Sequence, residues 1–219
     1  MAATTSMPSS PDPLNTGTQT SVLQSSSPTQ TFTLDIQSDA VYRSRDTIFD
    51  EDNVTPLYHV ETHWLRKPQI SLTSTSTGQE IASVASLHCT TLSTIDCTLC
   101  DPHTEYPVKL RRLMGGGYTF PAPISSTSKS EDRKSKEGAT WTWRSQSVWG
   151  YNIVCENERG EAVARFENEL WSVKKKGRLE LLGGVIGVGE GEEWKRVMEA
   201  VLVTGWAVME YRHRRNYGY

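Results

Sequence analysis

The sequence gathers metal-binding residue types in one stretch: His88-Cys89, Cys97-Thr-Leu-Cys100 and His103. A Cys-x-x-Cys pair with a nearby histidine can hold zinc when a fourth ligand joins, because tetrahedral zinc favours thiolate and imidazole. The same pair could instead cycle between dithiol and disulfide. The spacing is only half of a zinc signature. In an extended strand Cys97 and Cys100 point to opposite faces, and a strand cysteine otherwise serves as a small hydrophobe. Cys97, Cys100 and His103 are therefore candidate ligands only if a strand ends between the two thiols.

The second candidate chemistry is anion binding. Lys174-Lys-Lys-Gly-Arg178 is the densest basic run, which nominates Lys174, Lys175, Lys176 and Arg178 as contacts for anionic lipid headgroups. Arg111 and Arg112 could join them in space, as could Arg66-Lys67, Lys109 and Arg212-His-Arg-Arg215. A base held near an anionic membrane contributes about 1 kcal/mol. The plainer reading is a solvated hairpin turn plus cations that complement a helix C-terminus. The lipid reading requires the bases to converge on one face of the fold. A nuclear-localisation reading of the run stays open as well.

Other chemistry finds little footing. Gly183-Gly-Val-Ile-Gly-Val-Gly-Glu-Gly191 precedes a helix but lacks the Gly-Lys-Ser/Thr ending of a phosphate loop. Glu190, Glu192 and Glu193 would repel phosphate and instead suit the helix N-terminus. No Ser/His/Asp order, paired carboxylates or nucleotide fingerprint stands out, so the sequence points to no enzyme activity and no cofactor. A net charge of −3 argues against wholesale nucleic-acid binding.

The elements that would position these residues are mostly short strands. Residues 1–30 are Ser, Thr, Pro and Gln with Asp12 as the lone ionisable side chain, a composition that predicts a disordered tail. They form neither a secretory signal nor an arginine-rich transit peptide. Four cysteines without a signal suggest a reducing compartment. The expected location is cytoplasmic, peripheral to a membrane at most, with the nucleus left open. From Phe32 onward the pattern predicts eleven or twelve strands. Turns are expected at Asp50–Asn53, Thr77-Gly78 and Asn157–Gly160, and a hairpin at Lys176-Gly177. The stretch from 121 to 138 is rich in Pro, Ser and charge and predicts a disordered loop.

The last apolar run, Val197–Met209, decides the architecture. Trp194, Val197, Val201, Leu202 and Met209 lie on one helical stripe, and Trp206 with Ala200, Val203 and Ala207 covers the other side. A helix apolar all round must be buried. A bilayer span needs about twenty apolar residues, and runs of roughly 10–14 are more typical of core helices. Glu199 would add a penalty of about 3 kcal/mol in lipid. A wide barrel has an interior that a helix about 10 Å across could fill. Gly205 then marks a close approach, and Glu199 needs a partner, with Arg144 or Arg165 as candidates. Several of Trp141, Trp143, Trp149, Trp171, Trp194 and Trp206 are expected to line the barrel and pack on the helix rather than stack on a ligand.

Five segments carry a family resemblance: Trp141-Thr-Trp-Arg, Trp149-Gly-Tyr-Asn-Ile-Val-Cys, Glu161-Ala-Val-Ala-Arg-Phe-Glu, Leu170-Trp-Ser-Val-Lys-Lys-Lys-Gly-Arg-Leu-Glu-Leu and Val203-Thr-Gly-Trp-Ala-Val-Met-Glu-Tyr-Arg. They resemble the tubby C-terminal-like fold, and within it the small fungal tubby-like proteins of unknown function. Phospholipid scramblases and the plant LURP-one-related proteins are more distant. The resemblance implies a mainly β fold: a closed antiparallel barrel of about twelve strands around a central C-terminal apolar helix. It covers residues 31–214, leaving 215–219 as a tail. Tubby proteins bind phosphoinositides through a basic cleft, but their motif has no counterpart in this sequence. The expected protein is a non-enzymatic monomer that contacts anionic membrane lipids or a protein partner, with no transmembrane span and no nucleic acid. The alternatives are a zinc- or redox-linked role for Cys97 and Cys100, and a purely structural or interaction role.

Overall fold

The structure, a computed structural model, describes residues 31–38, 45–87, 94–101, 104–114, 116–123, 139–146, 152–168, 175–183 and 191–217. The expected tail at 1–30 lies outside these residues, as do residues 124–138 of the expected loop.

Twelve strands form in chain order: β1 Thr31–Ser38, β2 Arg45–Phe49, β3 Pro56–Thr62, β4 Ile70–Ser74, β5 Glu80–Val84 and β6 Thr94–Asp101. They continue with β7 Thr104–Arg112, β8 Tyr118–Pro121, β9 Thr140–Ser145, β10 Ile153–Glu156, β11 Ala162–Asn168 and β12 Lys175–Leu182. Each strand pairs antiparallel with the next, and β12 closes the ring against β1 through Leu34↔Leu179 and Phe32↔Leu181. Closure leaves no free sheet edge.

Alternation explains the wall. Ile70, Leu72 and Ser74 of β4 are buried while Ser71 and Thr73 are partly exposed, the period of two that a one-faced strand requires. The turns follow their residues. Gly78 and Gly160 adopt the positive φ that lets the chain reverse, and Asn53 does the same in the acidic turn.

One hairpin expected from the sequence does not exist. β12 runs straight through Lys176-Gly177, with Gly177 paired to Ile36 on one side and Asn168 on the other. Gly177 is buried and takes no positive φ, which a two-residue turn would need. The ladder on both sides outweighs the local turn signal.

The helix α1 spans Glu192–Tyr217, 26 residues, or about 39 Å. It carries Glu192 and Glu193 in its first turn and Arg214 and Arg215 in its last, matching its dipole. It extends three residues past the boundary at 214. Val197, Ala200, Val201, Leu202, Val203, Thr204, Trp206, Ala207 and Val208 are all buried, which covers every side of the helix. Trp194 and Gly205 are buried too, and Met209 packs partly exposed against the core. Trp206 meets Phe166 of β11 edge-on at 6.0 Å, and Tyr211 meets Tyr118 of β8 at 5.8 Å. β5, β6 and β10 pack on it as well. No described helix is long and apolar enough to cross a membrane.

Trp143 locks the helix at its middle. A Cβ on Gly205 would lie 2.9 Å from Trp143 Cζ2, so the glycine makes room for an indole of β9. The same indole donates from Nε1 to Thr204 Oγ1 at 3.0 Å, and that hydroxyl donates to the Ala200 carbonyl at 2.7 Å. One residue pair thus fixes both the depth and the rotation of α1.

Candidate functional site

Ring topology sorts the loops onto two ends. Odd-numbered strands run one way and even-numbered strands the other, so the β3–β4, β7–β8 and β11–β12 connections share one mouth. α1 leaves by that mouth: Arg212 Nη2 donates to the Gly116 carbonyl at 2.8 Å, and Arg214 Nη2 to the His63 carbonyl at 3.0 Å. It enters by the other, where Arg196 stacks 5.2 Å from the ring centroid of Tyr106 near the start of β7.

The exit mouth is basic. Arg66 and Lys67 of the β3–β4 loop, Arg111 and Arg112 at the end of β7, and Arg215 of α1 are exposed. The backbone of β12 begins here with Lys175 and Lys176; their side chains and all of Lys174 lie outside the described residues. Glu61 sits among these bases, 3.6 Å from the His63 ring and opposite Arg45. Among the described residues the entry mouth is predominantly acidic: Asp50, Glu51, Asp52, Glu80, Glu105, Glu158, Glu161 and Glu192 are exposed there, against the exposed bases Arg159 and Lys195. Two sequence candidates stand apart from the basic mouth. Arg178 lies along the wall, its Nε 3.3 Å from Asp35 Oδ1. Lys109 is 3.4 Å from Asp96.

Arg214 is the hub of the exit mouth. It is buried, and its guanidinium spends each nitrogen on a separate partner: Glu210 Oε1 at 2.9 Å, Gln69 Oε1 at 3.1 Å and the His63 carbonyl. Its Cζ lies 4.8 Å from the Trp64 ring centroid. Buried Gln69 completes the set by donating to the Trp64 carbonyl at 3.0 Å and accepting from the Leu87 backbone N–H. The β3–β4 loop is held against the helix this way.

Three large apolar side chains of this mouth stay in solvent: Leu65 at 98%, Met114 at 105% and Trp64 at 48% relative exposure. The sequence reading missed them. Their signal was an apolar pair beside two bases, Trp64-Leu65-Arg66-Lys67 and Arg111-Arg112-Leu113-Met114.

The cysteine cluster does not assemble. Cys97 faces the barrel interior while Cys100 lies on the opposite face of β6, because the strand continues unbroken through both. They cannot ligate one ion together. His88, Cys89 and His103 lie outside the described residues. Burial, helped by Asp96, pushes the Cys97 thiol well above its ordinary pKa. Burial, then Glu80 and Glu105, raises that of Cys100. Both changes oppose thiolate chemistry. The described residues contain no group of three or more potential ligands.

Glu199 finds a different partner from those expected. Lys195 Nζ, one helical turn away, lies 4.0 Å from its carboxylate. Arg144 and Arg165 alternate with inward Trp143 and Phe166, so both point outward; Arg144 pairs with Glu156 at 2.9 Å. The Tyr58 hydroxyl is pushed up in pKa by burial and then by the Glu199 charge. Trp141 and Trp143 are buried in the wall, whereas Trp149 and Trp171 lie outside the described residues.

The closed twelve-stranded ring with its enclosed C-terminal helix defines a tubby-like barrel. A protein from Arabidopsis thaliana solved by X-ray crystallography is similar to this chain, with a TM-score of 0.50 and 11% identity over 83% of this chain and 91% of that one. At that identity the likeness is one of fold. No family model matches the sequence, and no curated protein does.

Proposed function

We propose that the protein is a non-enzymatic tubby-like barrel, monomeric and cytoplasmic, that binds anionic membrane lipids at its exit mouth. One observation carries the reading: bases far apart in sequence, Arg66-Lys67, Arg111-Arg112 and Arg215, meet at one end of the barrel while the other end is acidic. Among the described residues that distribution gives an anionic surface its most attractive face at the exit mouth, although the chain's net charge is −3. The reading extends the sequence resemblance to the small fungal tubby-like proteins.

Flotation of the full chain with phosphatidylcholine vesicles, with and without phosphatidylserine or phosphoinositide, tests it. Binding should need the anionic lipid and weaken with salt, since exposed charges are screened within about 10 Å at 0.1 M salt. At about 1 kcal/mol per base, Arg111→Gln with Arg112→Gln should weaken it roughly thirtyfold. Glu192→Gln with Glu193→Gln at the acidic mouth should leave it unchanged. No lipid-dependent flotation at moderate salt would end the proposal.

A further inference from the structure

We infer that Leu65 and Met114 are membrane-inserting anchors, which stand the barrel on its exit mouth with α1 pointing toward the bilayer. The inference rests on the lipid reading above and adds a contact that charge alone does not supply.

Burial and exposure are segregated by purpose at this mouth. The backbones of both loops are held down: Arg214 binds the His63 carbonyl, Gln69 binds the Trp64 carbonyl and Arg212 binds the Gly116 carbonyl. The side chains of Leu65 and Met114 are nonetheless almost wholly in water. A loop collapsing for its own stability would turn such side chains inward. A loop already ordered loses little entropy when its tip is buried by a partner, so exposed apolar tips on pinned loops favour binding.

The chemistry of the neighbours selects the partner. Leu65 is followed by Arg66-Lys67, and Met114 comes shortly after Arg111-Arg112. This order would place apolar tips beneath a ring of headgroup-binding bases. Trp64 stands half-exposed beside Leu65 with its ring against the Arg214 guanidinium; amphipathic indoles favour the membrane–water boundary. A stable protein partner would need about 800 Å² of complementary surface on each side, far more than two isolated tips present. A bilayer needs no shape match: a few inserted side chains supplement the electrostatic attraction. The acidic entry mouth, with Asp50, Glu51, Asp52 and Glu192, would be kept away from an anionic surface and so enforces the same orientation.

The test is partitioning of the full chain onto phosphatidylcholine/phosphatidylserine vesicles across a salt series. Leu65→Ser with Met114→Ser should lower the partition coefficient at least about tenfold, given the apolar area withdrawn, and should leave its salt dependence unchanged. Arg111→Gln with Arg112→Gln should flatten the salt dependence instead. Both pairs are exposed, and circular dichroism with thermal melts should confirm an unaltered fold. If wild type binds and the Leu65/Met114 variant binds equally well, insertion is refuted while the lipid reading stands. If wild type ignores anionic vesicles, the lipid reading itself fails and the inference falls with it. Self-association in sedimentation velocity that the serine variant abolishes would assign the tips to a second copy of the chain and overturn membrane insertion.

Discussion

The two mouths of the barrel close their loops by different means. At the acidic entry mouth the β2–β3 and β10–β11 turns satisfy their own backbone. Asp52 Oδ1 accepts the Val54 and Thr55 N–H groups at 2.9 and 2.8 Å, and Asn157 Oδ1 accepts those of Arg159 and Glu161 at 2.9 and 3.0 Å. At the basic exit mouth the β3–β4 and β7–β8 loops also close locally, His63 N–H to the Gln69 carbonyl at 2.7 Å and Leu113 N–H to the Gly117 carbonyl at 2.8 Å, and are tied in addition to α1, which reaches the His63 and Gly116 carbonyls from residues 214 and 212. The entry-mouth turns also lean on their neighbours, Thr75 bonding the Leu57 carbonyl and the Thr140 N–H bonding Glu158 Oε1 at 2.8 Å, but none of these contacts involves α1. The exit mouth instead joins two loops to one helical turn. Val54 is exposed at the entry mouth too, but only the exit mouth sets its exposed apolar tips, Leu65 and Met114, beside paired bases, which is why the proposed lipid site lies there.

The largest effect should come from cutting that coupling. Arg214→Met removes the partner of partly buried Glu210, leaves the His63 carbonyl unmet and leaves Gln69 Oε1 with the Leu87 N–H alone. Urea unfolding should show a loss of about 3 kcal/mol, and hydrogen exchange should quicken at 63–69 before it does in the entry-mouth turns. Equal exchange at both mouths would erase the distinction between them.

Next in size is Gly205→Leu, which tests the helix that joins the ends. A side chain there collides with Trp143. The indole cannot retreat without giving up Thr204, so a cost of about 2 kcal/mol is expected in the same assay. Unchanged stability would mean that α1 is not enclosed, and the two mouths would lose their common axis.

The smallest effect belongs to the entry mouth. Hydrogen bonds from Thr55 and Val54 hold the Asp52 carboxyl below its ordinary pKa. A carboxylate with a depressed folded pKa stabilises the fold above its unfolded value and loses that contribution as the pH falls through the folded one. Asp52→Asn should therefore be slightly less stable than wild type near neutrality, with the gap closing below about pH 4. A gap that persists into stronger acid would show that charge is not what closes this turn.

Much of the fold was legible because its signals are local or periodic. Val197–Met209 is apolar at every helical angle, which demands enclosure whatever surrounds it. Alternation located the strands, and Gly78, Gly160 and Asn53 marked turns that the backbone does make. Lys176-Gly177 misled because a turn signal says nothing about the two strands waiting on either side of it. The cysteine pair was limited by the rule that residues three apart in a strand diverge, and the unbroken β6 leaves that rule in force. The partner of Glu199 could not be read at all, since a helix neighbour and two wall residues compete and only the facing of β9 and β11 eliminates the latter.

The sequence by itself determined that a buried helix must sit within a shell of strands, because hydrophobic period and length leave no other place for it. It also contained every base of the exit mouth, yet gave no reason to join Arg66 to Arg111 or to Arg215. Ring closure decided that. Twelve antiparallel strands put alternate connections at the same end, and α1 passing through the ring carries its own C-terminal arginines to that end. Only that tertiary arrangement separates the charges of a nearly neutral chain into a basic mouth and an acidic one.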